Sequence, residues 1–235
     1  MAELTRQVGE NIRKYRKQRL MTLEELSSVI CKSRSTLSKY EKGEITIDIE
    51  VLYEVASALH VNVEQLLPVP RERIKFPESE NYPAFFNGIS QFYSYIFDGR
   101  NNQIIRSVFD VLSATDERRQ KIVMYMNFKD YQDYRCCENT YRGNIEHYDA
   151  ITNISLINQD TPMEKASIQI LASYLDADTK WGLWNGFSSR PMMPIAMKML
   201  FSKTPLKEDF NFSKQLKVSR EDIRLLKLYN MLSVT

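Results

Sequence analysis

Arg34, Ser35, Ser38 and Lys39 recur at a spacing that puts all four on one face of a helix, with Leu37 and either Tyr40 or Glu41 turned to the other side. Arg and Lys can donate to N7 and O6 of guanine in the major groove, and Ser can pair with several base edges, so such a face has the chemistry of base reading. Other reactive groupings are sparse. His60 and His147 stand alone, with no CxxC spacing nearby, so no metal site is expected. A glycine-rich phosphate loop, a nucleophile elbow and a close His–carboxylate pair are all missing, so neither catalysis nor a cofactor is expected.

Local signals define the helices that must position the four side chains. Thr22 followed by Glu25 is a capping box, which satisfies two orphan amides at a helix start. Leu23, Leu26 and Ile30 then form an apolar stripe that has to be buried. Cys31 and Lys32 separate this helix from the next, Ser33 is the next N-cap, and Gly43 suits the left-handed position that ends a helix. Upstream, a helix from about Glu3 to Leu20 places Leu4, Val8, Ile12 and Tyr15 on its buried face. Downstream, Asp48 caps a fourth helix with Val51, Leu52, Val55, Ala58 and Leu59 inside. Asn62 with Gln65 opens a short fifth helix ending at Leu67.

These features resemble the phage-repressor, or Cro/xenobiotic-response-element, class of helix-turn-helix domains over residues 9 to 67. The resemblance rests on Ile12-Arg13 and Tyr15-Arg16, on Thr22 to Leu26, on Ser33 to Gly43, and on the closing Val63-Glu64-Gln65-Leu66-Leu67. It implies base reading by Arg34, Ser35, Ser38 and Lys39, phosphate contacts from Ser33, Thr36 and Lys42, and a structural ion pair between Arg16 and Glu41. Three positions depart from the class. Ser27 replaces a small Ala, Cys31 replaces the usual turn Gly, and Lys32 stands where an apolar residue is common; Cys31 strains the turn if its φ is positive. Leu23 also replaces a Gln that in the class binds the DNA backbone.

A formal charge of +2 does not announce a nucleic-acid binder, but the charges are segregated. Residues 1 to 42 hold ten Lys or Arg against five acids, and residues 43 to 66 hold five acids with no Lys or Arg. One basic side fits phosphate neutralisation; the competing explanation is that Arg13, Lys14, Lys17 and Arg19 simply solvate the first helix. A hydrophobic content of 43% in 235 residues suffices for one or two buried cores. No apolar run approaches the roughly 18 residues of a membrane span, and the three cysteines make no disulfide framework. A cytoplasmic protein with no membrane partner is expected.

Pro68, Pro70, Pro77 and Pro83 mark residues 68 to 83 as a linker between a 1–67 domain and an 84–235 domain. Beyond it the apolar period shortens from helical to alternating. Candidate strands are Phe92–Phe97 (whose first part also suits a helix), Ile104–Leu112, Lys121–Phe128, Asn139–Tyr148, Ile151–Asn158, Lys165–Ser173, Lys180–Ser188 and Pro194–Ser202. About eight short strands in series imply an antiparallel meander, rolled into an up-and-down barrel of lipocalin type or folded into a sandwich. Ser219 then caps a C-terminal helix with Ile223, Leu226, Tyr229 and Asn230 on one stripe. The fold class is therefore α+β, a five-helix domain followed by a β domain with a final helix.

An eight-stranded barrel can hold one small ligand. Trp181, Trp184 and Arg190 could form an aromatic platform beside a cation for a planar or anionic effector; the competing and plainer explanation is Trp181 and Phe187 as core with Arg190 capping a turn. Met197 and Met199 suit barrel filling. Cys136-Cys137 would sense redox state only if something lowered a thiol pKa. The expected function is a homodimeric regulator that binds double-stranded DNA, its β domain dimerising or sensing a small molecule. Two other readings stay open: a protein-interaction module in which the helices dock a partner rather than DNA, and an enzyme tethered to DNA.

Overall fold

The computed structural model describes residues 2–68, 82–114, 118–171, 177–189 and 192–233. Most of the expected 68–83 linker, and Arg190, lie outside these. The chain divides into two compact units, Met1–Glu72 and Arg73–Thr235.

The first unit is helical: α1 (Ala2–Gln18), α2 (Leu23–Val29), α3 (Arg34–Lys42), α4 (Ile49–Ala58) and α5 (Val63–Leu66). Val8, Ile12, Tyr15, Leu26, Ile30, Leu37, Val55, Leu59 and Leu66 meet in its core. Leu4 was expected there but is 55% exposed, because it lies one turn ahead of Val8, beyond the helices that cover the rest of the stripe. On α4 it is Ala56 that is buried, with Ala58 only half-buried. Gly9 is where α1 crosses the end of α3, and a Cβ there would run into the carbonyl oxygen of Tyr40.

The second unit is an antiparallel barrel, closed in simple chain order: β1 (Gln91–Asp98), β2 (Gln103–Ala114), β3 (Arg119–Phe128), β4 (Cys137–His147), β5 (Ile151–Asn158), β6 (Lys165–Leu171), β7 (Thr179–Ser189) and β8 (Met192–Ser202). Closure removes the free edges that a sandwich would leave. The run at 92–97 is strand throughout, since its aromatic and branched side chains fill both faces of β1. Alternate residues from every strand point inward, including Phe92, Phe109, Met124, Tyr141, Ile154, Ile168, Trp184 and Phe201, and Phe85 and Phe86 pack against them from the segment before β1. The Phe92 and Phe109 rings stack at 4.6 Å.

The outer face of β1, β2, β3 and β8 is apolar too, which a simple inward/outward alternation does not predict. Tyr93, Tyr95, Val108, Val123, Tyr125 and Leu200 lie there beneath a short 3-10 turn (Tyr131–Asp133) and a helix, α6 (Phe210–Leu216), that supplies Phe212 and Leu216. The seven-residue α6 is too short to show a periodic pattern of its own. Its start is set by Asp209, which accepts from the Phe212 amide at 2.9 Å. The last helix, α7 (Arg220–Tyr229), starts at Ser219 with a capping box completed by Asp222.

Candidate nucleic-acid interface

The approach of α3 to the surface is fixed from both ends. At its start the Ser33 hydroxyl accepts from the Thr36 amide at 3.0 Å and lies 2.8 Å from the Thr36 hydroxyl. Gly43 ends it with φ +68°, a value that an L side chain adopts only with strain. Between α2 and α3, Cys31 takes φ +50°, the positive value that its place in the turn demands. The Thr22 hydroxyl accepts from the Glu25 amide, and the Glu25 carboxylate accepts in return from the Thr22 amide at 2.6 Å. The Thr22 amide, and after it the Thr22 hydroxyl, which also donates to the carboxylate at 2.8 Å, hold Glu25 below the usual carboxylate range.

Beneath α3 lies the Arg16–Glu41 pair, bridging α1 to α3 by two parallel bonds of 2.6 and 2.9 Å. Both side chains are over nine-tenths buried, and Arg16 also donates to the Met21 carbonyl at 2.8 Å. The bond to Glu41 holds the guanidinium charged, against the opposing effect of burial. A buried, satisfied pair of this kind orients helices and leaves no charge for a ligand.

The outward face is different. Arg34, Ser35 and Lys39 are exposed and Ser38 is half-buried. None of the four side chains has a hydrogen bond or ion pair among the described residues. Lys42 is exposed and lies 3.6 Å from Glu44, a loose contact that a phosphate could displace. Ser33 and Thr36 bond to each other at the helix start, where the partial positive charge of the amides favours an anion. Lys32, noted in the sequence only as a departure from the usual apolar residue, is exposed beside them without a partner among the described residues. Its signal was there to be read: a cation directly before an N-cap.

Not every cation of the basic segment is available. Arg19 donates to the carbonyls of Leu59 and His60, both at 3.1 Å, closing the end of α4, and Arg6 is held by Glu3 and Glu10. Leu23 is half-buried and offers nothing to a phosphate.

In the barrel, Trp181 and Trp184, expected to form a platform with Arg190, do not share a face. Trp181 and Trp184 are three residues apart on β7, and strand alternation sends them to opposite faces. Trp184 points inward, edge-on to Tyr141, while Trp181 lies outside with the Lys198 ammonium 4.5 Å from its ring. Arg190 falls outside the described residues. Cys137 is buried, and burial pushes its thiol up to about 11, away from the thiolate a redox sensor uses. Among the described residues no three His, Cys, Asp or Glu converge as a metal site would require, and no helix is long and apolar enough to cross a membrane.

Residues 12–66 match the Helix-turn-helix family, and this segment is a Cro/C1-type helix-turn-helix domain. Among solved structures, the chain is similar to the clp gene regulator ClgR from Corynebacterium glutamicum at 29% identity, covering 26% of this chain and 80% of that one, with a TM-score of 0.26. It is similar to the restriction-modification controller protein C.AhdI from Aeromonas hydrophila at 22% identity, over 28% and 100% of the two chains, with a TM-score of 0.27. An HTH_3 family transcriptional regulator from Vibrio cholerae is similar at 12% identity over 86% and 90% of the two chains, with a TM-score of 0.27. No curated protein matches the chain.

Proposed function

We propose that this protein is a sequence-specific transcriptional regulator of the cytoplasm that reads double-stranded DNA through α3, and that its barrel unit dimerises and receives a small effector. The observation that carries the DNA assignment is the contrast on α3 itself: Glu41 is locked to Arg16 beneath it, while Arg34, Ser35, Ser38 and Lys39 face outward with no partner among the described residues. Long cationic side chains left without carboxylates on a rigid helix are arranged to meet another surface. The major groove accepts a helix and offers the acceptors that they need. Lys32, Ser33, Thr36 and Lys42 surround this face and take the phosphates. The barrel is assigned no reaction.

Replacing both Arg34 and Lys39 with Ala is expected to lower affinity for the cognate operator by about 2 to 6 kcal/mol while sparing non-specific binding. Replacing Lys42 with Ala is expected to weaken all DNA sequences alike and to reduce the salt slope by about one. Fluorescence anisotropy against the protein's own promoter fragment and a scrambled duplex, over a salt series, makes the measurement. Equal loss on both duplexes for the double variant would remove the base-reading assignment. Binding of wild-type protein that is insensitive to salt would favour a helical unit that docks a protein partner.

A further inference from the structure

The barrel closes on a short seam. β1 and β8 pair at Tyr93–Ser202, Ser94–Phe201 and Tyr95–Leu200; beyond these, β1 runs on to Asp98 paired only with β2, and β8 runs back to Met192 paired only with β7, among the described residues. The parted edges are bridged from outside. Ile96 and Phe97 of β1, Met197 and Lys198 of β8, and Leu216 and Lys217 at the junction of α6 and α7 line one cleft of about 310 Å³, so this junction stands over the gap.

Each helix is fastened to a different side of the seam. On the β1 side, the Tyr95 hydroxyl accepts from the Leu206 amide at 2.8 Å, the Phe212 ring of α6 stands edge-on to the Tyr95 ring at 5.1 Å, and the Lys217 ammonium lies 4.4 Å from the Phe97 ring. On the β8 side, one carboxylate oxygen of Asp222 accepts from the Lys198 ammonium at 2.8 Å and from the Ser219 amide at 2.7 Å. Both partners of the ion pair are largely buried, and Lys198 also lies over the Trp181 ring of β7. A single oxygen therefore caps α7 and ties it to the barrel wall. No hydrogen bond or ion pair among the described residues joins α7 to β1.

We propose that α6 and α7 form an external clamp across the seam, and that the seam and α7 open and close together as one unit. Three backbone pairs hold the strands, and side chains carried by the two helices supply the rest of the closure. With either fastening lost, the clamp no longer spans both strands, and the barrel yields there first, as local openings follow the least-supported contacts. Ile223, Leu226 and Tyr229 ride on α7 as an exposed apolar stripe. A partner that binds this stripe in its clamped position favours the closed seam, and the closed seam favours that partner to the same degree. The clamp belongs to the barrel alone and stands apart from DNA reading.

Hydrogen exchange by mass spectrometry on the full-length protein tests the coupling. Lys198→Met cuts the tie of α7 to β8, and Tyr95→Phe cuts the hold of β1 on the segment leading to α6. Each is expected to speed exchange about tenfold both at Tyr93–Tyr95 with Leu200–Ser202 and within α7, while β4, β5 and β6 stay protected and melting stays cooperative. The effect of Tyr95→Phe on α7 is decisive, since Tyr95 has no bond to that helix. In the wild-type protein the seam and α7 amides are expected to share one opening free energy, below that of β4 to β6, a reading that needs no variant to fold. Separate opening free energies in the wild type, a change confined to the mutated side, a rise spread evenly around the barrel, or no change in either variant would overturn the proposal.

Discussion

Cys31 holds φ +50° in the turn between α2 and α3, where an L side chain is strained and glycine is not. Its side chain is exposed, so replacing it removes no core contact. Cys31→Gly is expected to raise stability by up to about 1 kcal/mol, the relief of strain being partly offset by the added freedom of the unfolded chain. Urea unfolding would register this; a loss of stability would mean that the turn is not strained. His147 is the second residue with a measurable signature. It is 2% exposed, accepts or donates to the Thr152 hydroxyl at 3.0 Å, and lies between the rings of Tyr82 and Phe86. Burial pushes its pKa down to about 4, from an ordinary value of 6.5. Between those values the unfolded chain takes up a proton that the folded one refuses. The stability of the barrel is thus unaffected by this group above pH 6.5 and falls as the pH drops toward 4, by a total on the order of 3 kcal/mol. The expected result is a stability profile that declines through this window in the wild type and flattens in His147→Gln. Parallel profiles for the two proteins would show that the imidazole takes up its proton as readily in the folded state as in the unfolded chain.

At the scale of elements, α3 could be read because both of its boundaries are local: the Ser33 cap and Gly43 act on the nearest turn and need no tertiary partner. β5 and β6 were legible for a similar reason, since period-two alternation survives in both, whereas β1 was marked by its aromatic and branched residues. What misled was the pairing of residues within β7, where Trp181 and Trp184 look adjacent in sequence yet differ in parity and so face opposite sides. α7 was legible as a helix but not as a surface. Ile223 and Leu226, on its apolar stripe, stay 44% and 41% exposed, and Tyr229 is 55% exposed. The dimer proposed for this protein is expected to use that stripe. Leu226→Asp should then shift the protein from dimer to monomer in sedimentation velocity and leave its melting cooperative; an unchanged sedimentation coefficient would place the dimer elsewhere.

For the whole molecule the proposal implies a two-unit division of labour. Helix-turn-helix domains bind half-sites one DNA turn apart when paired, so losing the dimer should weaken a two-half-site operator far more than a single half-site. The same Leu226→Asp protein, tested on both duplexes, links the α7 surface to DNA reading. By itself, the sequence determined what depends on neighbours along the chain: the capped helices, the left-handed end of α3, the outward Arg and Lys, the number and order of the strands. Only the tertiary structure decided that the meander closes into a barrel, that α6 and the 3-10 turn cover a second apolar face, and that β1 and β8 part after three pairs. Strand order follows from local periodicity, but register and closure join residues far apart in the chain, and no local pattern records where such a seam will end.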